Sequence, residues 1–232
     1  MSDGNRTLEA RLANGLTVLV QPLRHVPVVS CWIWYRVGSR NELPGLTGIS
    51  HWVEHMLFKG TPRFPPGSIF RQVNRWGGTL NGFTWLDYTA YFETLPTPGW
   101  QLALDIEADR MVAATFDPAE VERERTVILA ERAGSENQPG TYLREEVLAA
   151  AFRTHPYGHP VIGYREDVLQ ITRDDLYRHY RTYYQPANAV LVIVGDIDPD
   201  EALTAVEQRF AGLPSSDPPP LLRVREPEQW AE

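Results

Sequence analysis

The chain has 232 residues, 43% hydrophobic and 22% charged, with a formal net charge of −8. That apolar content excludes intrinsic disorder, and the length allows one large domain or two small ones. No run reaches the roughly 18 apolar residues of a membrane span, the acidic balance argues against a nucleic-acid partner, and the single cysteine, Cys31, excludes an internal disulfide framework and a cysteine-rich zinc site.

In chain order, Met1-Ser2-Asp3-Gly4-Asn5-Arg6 lacks the charged and apolar regions of a secretory signal, which predicts a cytoplasmic protein. Residues 8–12 and 16–20 alternate in polarity around Asn14-Gly15, the signature of a hairpin. A strand rich in Val, Ile and Trp follows from Val28 to Val37, entered through Pro27 where no ladder donor is needed. Helical spacing sets in at Gly48 and ends at Phe58, with Gly60 and Pro62 as stop signals. A second helix is predicted from Ser68 to Trp76, and residues 79–95 read as two strands or one bent strand.

The pattern then turns helical, over residues 98–114, from the N-cap Asp117 to about Ala133, and over 140–152, 173–183 and 198–213. One all-apolar strand, residues 189–194, interrupts it. Pro218-Pro219-Pro220 through Glu228 reads as a Pro-rich, charged linker. Of the 22 basic residues only Lys59 is a lysine, a bias that reads as gene composition rather than function.

Two helices break their own pattern. The helix over residues 48–58 buries Ile49, Trp52, Val53, Met56 and Leu57 at i, i+3, i+4, i+7 and i+8, but carries a second stripe of His51, Glu54, His55 and Phe58. Two imidazoles one turn apart can bind one metal ion, and a glutamate on the same face can reach a water on it. In the helix from Asp117 the inward stripe is Val121, Glu124, Val127, Ile128 and Glu131, which sets two carboxylates seven residues apart on an apolar face; Glu122 and Arg125 read as solvated charges. A buried carboxylate costs several kcal/mol, roughly, unless a charge or metal compensates it. A site with two histidines needs a third protein ligand; Glu131 is the natural candidate, with Glu124 orienting a histidine from behind. The competing reading leaves both carboxylates solvated or paired with arginine. His155 and His159, in a Pro/Gly loop, read as structural, and Asn81 alone reads as a turn residue.

His51-Trp52-Val53-Glu54-His55 is the inverzincin order. With Gly48-Ile49-Ser50 before it, Met56 to Thr61 after it, Glu124 and Glu131, Asn81-Gly82-Phe83-Thr84, Asp87-Tyr88-Thr89, His155-Pro156-Tyr157-Gly158, and Tyr184 to Asn188 leading into Val194-Gly195-Asp196, the chain resembles the pitrilysin/insulinase family of zinc peptidases. The resemblance implies a two-layer α+β fold, a mostly antiparallel β-sheet packed with α-helices, where composition alone would also allow α/β. It implies one zinc ion per chain held by His51, His55 and Glu131, Glu54 as general base, and Glu124 behind a zinc-binding histidine. It also implies a peptide substrate held as an added strand at Asn81, Gly82 and Phe83; Gly82 stands where the family usually has alanine. The family's enzymes are built from two homologous halves. Residues 1–214 are then expected to be the zinc-bearing half of an endopeptidase, with residues 215–232 leading to a second half or partner subunit. The alternatives are a non-catalytic scaffold subunit and a plain peptide-binding module.

Overall fold

A computed structural model describes residues 6–217, 219 and 223–228. Residues 1–5 of the N-terminal segment 1–6, read as lacking a secretory signal, and Pro218, Pro220, 221–222 and 229–232 of the segment read as a linker lie outside the described residues. Among the described residues six strands form one sheet: β1 (Leu8–Arg11), β2 (Thr17–Pro22), β3 (Val28–Tyr35), β4 (Thr79–Thr84), β5 (Thr89–Pro96) and β6 (Ala189–Gly195), in the order β1-β2-β6-β3-β5-β4. All neighbours are antiparallel except β2 and β6. The Asn14-Gly15 turn is where it was expected, with Gly15 at φ +92°. The ambiguous segment 79–95 is two paired strands. The apolar run at 189–194 is a central strand whose residues are alternately buried and half-buried, so no position is exposed and its pattern shows no polar break.

The described residues also form eight α-helices: α1 (Ile49–Met56), α2 (Ser68–Arg75), α3 (Gln101–Ala113), α4 (Pro118–Glu136), α5 (Pro139–Ala151), α6 (Arg165–Gln170), α7 (Arg173–Tyr183) and α8 (Pro199–Phe210). The six-residue α6 escaped the sequence reading because a helix that short shows no full apolar stripe. The segment at 98 opens as a 3₁₀ turn, Thr97–Gly99, before α3 proper. No helix among the described residues is long and apolar enough to cross a membrane.

The architecture is α+β in two layers. One sheet face, with Val18, Val20, Ile33, Tyr35, Leu191 and Ile193 fully buried, packs against Trp52, Val53, Leu104, Ile106, Tyr180 and Phe210 of the helices. The other face carries a half-buried row running Leu19, Val192, Trp32 and Phe92 across β2, β6, β3 and β5. Trp32 stacks on Phe92 at 4.3 Å and on Trp34 at 5.6 Å. The strand β4 closes one end of the sheet, so its outer backbone edge has no neighbour among the described strands.

Candidate metal centre

The helix α1 starts at Gly48, which adopts φ +87°; a Cβ there would stand 2.4 Å from the Ile162 carbonyl oxygen, so only glycine fits. Glu42 reaches back from the preceding loop to accept the amides of Gly48 and Ser50 at 2.8 and 2.9 Å, capping the helix. Burial pushes the Glu42 carboxyl up to about 8, against the pull of those two amides. The apolar stripe Ile49, Trp52, Val53, Met56 and Leu57 is buried throughout, as its spacing predicts.

The second stripe faces α4. The His51 and His55 rings lie 4.6 Å apart, and their Nε2 atoms sit 3.9 and 3.8 Å from Glu131 Oε2. One ligand atom from each residue lies within 4.8 Å of the others, and among the described residues this is the one such cluster of His, Cys, Asp and Glu. Burial, aided by the neighbouring His55, pushes His51 down to about 3. A neutral imidazole has a lone pair to give. The His51 Nδ1 is buried and has no hydrogen-bond partner among the described residues. On His55 the other ring nitrogen, Nδ1, donates to Glu124 Oε2 at 2.9 Å, leaving Nε2 turned to Glu131. The second oxygen of Glu124, Oε1, pairs with the Lys59 ammonium.

The helix α4 is capped by Asp117, whose side chain accepts from Ala119 and Glu120. Its stripe is narrower than the sequence suggested. Val121, Glu124 and Ile128 are buried, but Val127 and Glu131 are exposed at 47% and 48% of their residue and side-chain areas. The helical wheel explains it. At about 100° per residue, Ile128 and Glu124 lie within about 60° of Val121, whereas Glu131 lies about 80° and Val127 about 120° away. Glu131 therefore stands at the border of the buried face, able to meet the histidines from the solvent side. Arg125 also departs from its reading as a solvated charge. It pairs with Glu122 at 2.9 Å, donates to the carbonyls of Val168 and Ile171, and lies over the Trp52 ring at 4.7 Å, tying α4 to α6 and α1.

Glu54 is buried, and its Oε2 accepts the Thr84 hydroxyl at 2.6 Å. Burial raises its carboxyl while Thr84 and His55 hold it back. Two cavities flank the cluster. One, about 200 Å³, is lined by His51, Glu131, Thr84 and His159; the other, about 400 Å³, by Glu54, His55, Phe58, Lys59, Asn81 and Glu124.

Asn81 is a strand residue, not a turn residue; its Oδ1 accepts the Gly82 amide at 2.9 Å. At Gly82 a Cβ would come 2.9 Å from Tyr91 Cδ1 and 3.1 Å from Phe58 Cε2, so glycine lets those rings close over β4. The Tyr91 ring is held by the guanidinium of Arg110, 4.2 Å from its centroid, and Arg110 is itself buried between Glu93 and Glu107. The Phe83 side chain packs edge-on with Trp32, Trp34 and Tyr88 on the far sheet face, so only its backbone is offered at the β4 edge. His155 Nδ1 accepts the Tyr157 amide at 3.2 Å, while His159 lies 3.8 Å from Glu42 and lines the smaller cavity. The sequence reading missed Thr84 and Lys59. Both fall inside the motif segments, but their roles depend on what lies across from them.

Comparison with known proteins gives a consistent picture. The profile of "Insulinase (Peptidase family M16)" matches residues 17–165, and that of "Peptidase M16 inactive domain" matches residues 170–231. An uncharacterised zinc protease of Mycobacterium leprae is 35% identical over 199 residues, 86% of this chain and 45% of the relative. The mitochondrial-processing peptidase subunit beta of Lentinula edodes is 32% identical over 208 residues, 90% of this chain and 45% of the relative. The crystal structure of a protease from Helicobacter pylori superposes with a TM-score of 0.92 at 31% identity, covering 97% of this chain and 55% of that one. The chain thus spans about half the length of the curated relatives it matches.

Proposed function

The chain belongs to the insulinase family of peptidases, family M16, and from that premise we propose that it is the zinc-bearing half of an endopeptidase that cuts extended peptides. The observation that carries the proposal is the convergence of His51 Nε2 and His55 Nε2 on Glu131, with Glu54 on the same helix face. The donor set fits zinc. It offers two neutral-capable imidazoles and a carboxylate, with one imidazole already donating its far N–H to a carboxylate, as metal-binding histidines do. His51, His55 and Glu131 would hold the ion. When bound, zinc supplies Lewis acidity, polarising a carbonyl and lowering the pKa of a water to about 7.

The chain's own groups supply the rest. Glu54 accepts the proton of the attacking water and delivers it to the leaving amine. Thr84 donates to Oε2 and so orients the carboxylate, leaving Oε1 for the water. The unpaired outer edge of β4 offers backbone groups to an extended peptide at Asn81, Gly82 and Phe83, and that addition lays a peptide bond beside α1. A homologous second half, in the same chain or as a partner subunit, completes the enzyme. The half length relative to the family's curated members and the aromatic sheet face around Trp32, Trp34 and Phe92 support that reading.

The second reading is a non-catalytic subunit. It draws on the inactive-domain match, which covers residues 170–231 and so none of His51, Glu54, His55 or Glu131. Zinc stoichiometry and peptide cleavage, with the second half supplied, separate the two. We expect one zinc per chain, loss of cleavage on chelation, and a Glu54→Gln variant that keeps zinc but loses turnover. A wild-type protein without metal sinks the proposal, and full activity in Glu54→Gln removes Glu54 as the base.

A further inference from the structure

Every basic residue in the chain is arginine except one, and that one is Lys59. A general preference for arginine cannot account for the exception, and the structure supplies a reason for it. Lys59 follows α1, its amide donating to Met56 O at 3.0 Å, and the next residue, Gly60, turns the chain at φ +111°. That turn delivers the ammonium to Glu124, which is 5% exposed. The two oxygens of this carboxylate have different occupants: Oε2 takes the His55 Nδ1–H at 2.9 Å and Oε1 takes Lys59.

We infer that Lys59 is a positioning residue for the metal centre, holding Glu124 by one oxygen so that the other stays committed to His55. The inference rests on the zinc reading of the site. Lysine suits the task where arginine does not. An ammonium is a point charge that satisfies one oxygen, whereas a guanidinium presents a planar fork that matches both oxygens of a carboxylate at once. An arginine at 59 would compete with His55 for Oε2 and release the imidazole from its orientation. A neutral residue at 59 would leave the nearly buried Glu124 with His55 as its sole polar partner and free to rotate. Either change acts on His55 through Glu124, without touching a ligand.

The test is zinc affinity of the 232-residue chain, measured by competition with a chromogenic chelator, for wild type, Lys59→Arg, Lys59→Met, Glu124→Gln and the Lys59→Met/Glu124→Gln double variant. Removing groups that orient a metal-bound histidine weakens metal binding by roughly 10- to 100-fold. Lys59→Arg and Lys59→Met are each expected to weaken zinc about tenfold, while the metal-free melting temperature of Lys59→Arg stays with wild type. The double variant is expected to bind no more weakly than Glu124→Gln alone, because the lysine acts only through Glu124. Wild-type affinity in Lys59→Arg overturns the inference. So does an equal loss from Lys59→Met with and without Glu124, which would indicate a general electrostatic effect. Absence of zinc binding by the wild type removes the underlying reading, and this inference with it, and shows in the wild type alone.

Discussion

Thr84 illustrates how a single side chain decides what a motif residue can do. The Glu54 carboxylate sits in a pocket that disfavours its charge, and the Thr84 hydroxyl donates to it at 2.6 Å. Thr84→Val keeps the shape and removes the donor. A hydrogen bond to a charged group contributes about 1.5–3 kcal/mol, so turnover of the completed enzyme should fall at least about tenfold with KM little changed. Thr84→Ser should recover most of it; steady-state kinetics on a fluorogenic peptide decides, and an unaffected kcat in Thr84→Val would show that Glu54 needs no such anchor. At this scale much of the site was legible. The triplet His51, Glu54 and His55 is visible because i, i+3 and i+4 share a helix face whatever the tertiary fold. The pair Glu124 and Glu131 is visible because seven residues bring a helix nearly back to the same direction. Thr84 and Lys59 were not legible, because each acts on a residue brought to it by packing: Glu54 across from β4, and Glu124 from α4.

At the scale of elements, α1 is held from three sides. Glu42 caps its first turn, Arg125 of α4 lies over Trp52, and His179 of α7 meets Ser50 Oγ at 3.1 Å. Burial pushes His179 down from its ordinary 6.5 to about 3, so it stays neutral in the fold but takes a proton when the chain unfolds below about pH 6.5. The unfolded state then binds more protons, and stability falls as pH drops from about 6.5 toward 3, by up to about 1.4 kcal/mol per pH unit for one such group. His51 contributes in the same direction, and Glu42 in the opposite one, its share being present below about 4.5 and lost as pH rises through about 8. His179→Gln should therefore lower the slope by about one proton, measured as denaturant unfolding free energy of the metal-free chain from pH 7 to pH 4. An unchanged slope would mean that His179 is protonated in the fold. The elements themselves were largely readable from caps, stops and periodicity, as at Asp117, Gly60 and Asn14-Gly15. The exceptions were the short α6 and the width of the α4 stripe, since the arc a helix buries is set by the elements that cover it.

For the molecule as a whole, the sheet divides two tasks. The helix-covered face forms the core and positions α1 beside β4, while the opposite face leaves Trp32, Trp34 and Phe92 half-buried. If a homologous half completes the enzyme, the 232-residue chain should bind zinc yet cleave peptide poorly, and adding the second half should raise the cleavage rate by about tenfold or more while protecting those tryptophans from solvent. A preorganised opposing wall contributes at least that much to a reaction. Peptidase assays and tryptophan quenching with and without the added half test it; full cleavage by the chain alone would show that one half suffices.

The sequence by itself determined the chemistry that could assemble: which helix bears imidazoles one turn apart, where carboxylates interrupt an apolar stripe, and which strands alternate. Those are properties of local geometry, set by 3.6- and 2-residue periods. Only the tertiary structure decided that Glu131 reaches both histidines from the solvent border, that Glu124 divides its oxygens between His55 and Lys59, and that Asn81 lies on an open sheet edge rather than in a turn. These depend on how α1, α4 and β4 pack side by side. Segments far apart in the chain meet there because burying their apolar faces together outweighs the entropy of ordering them.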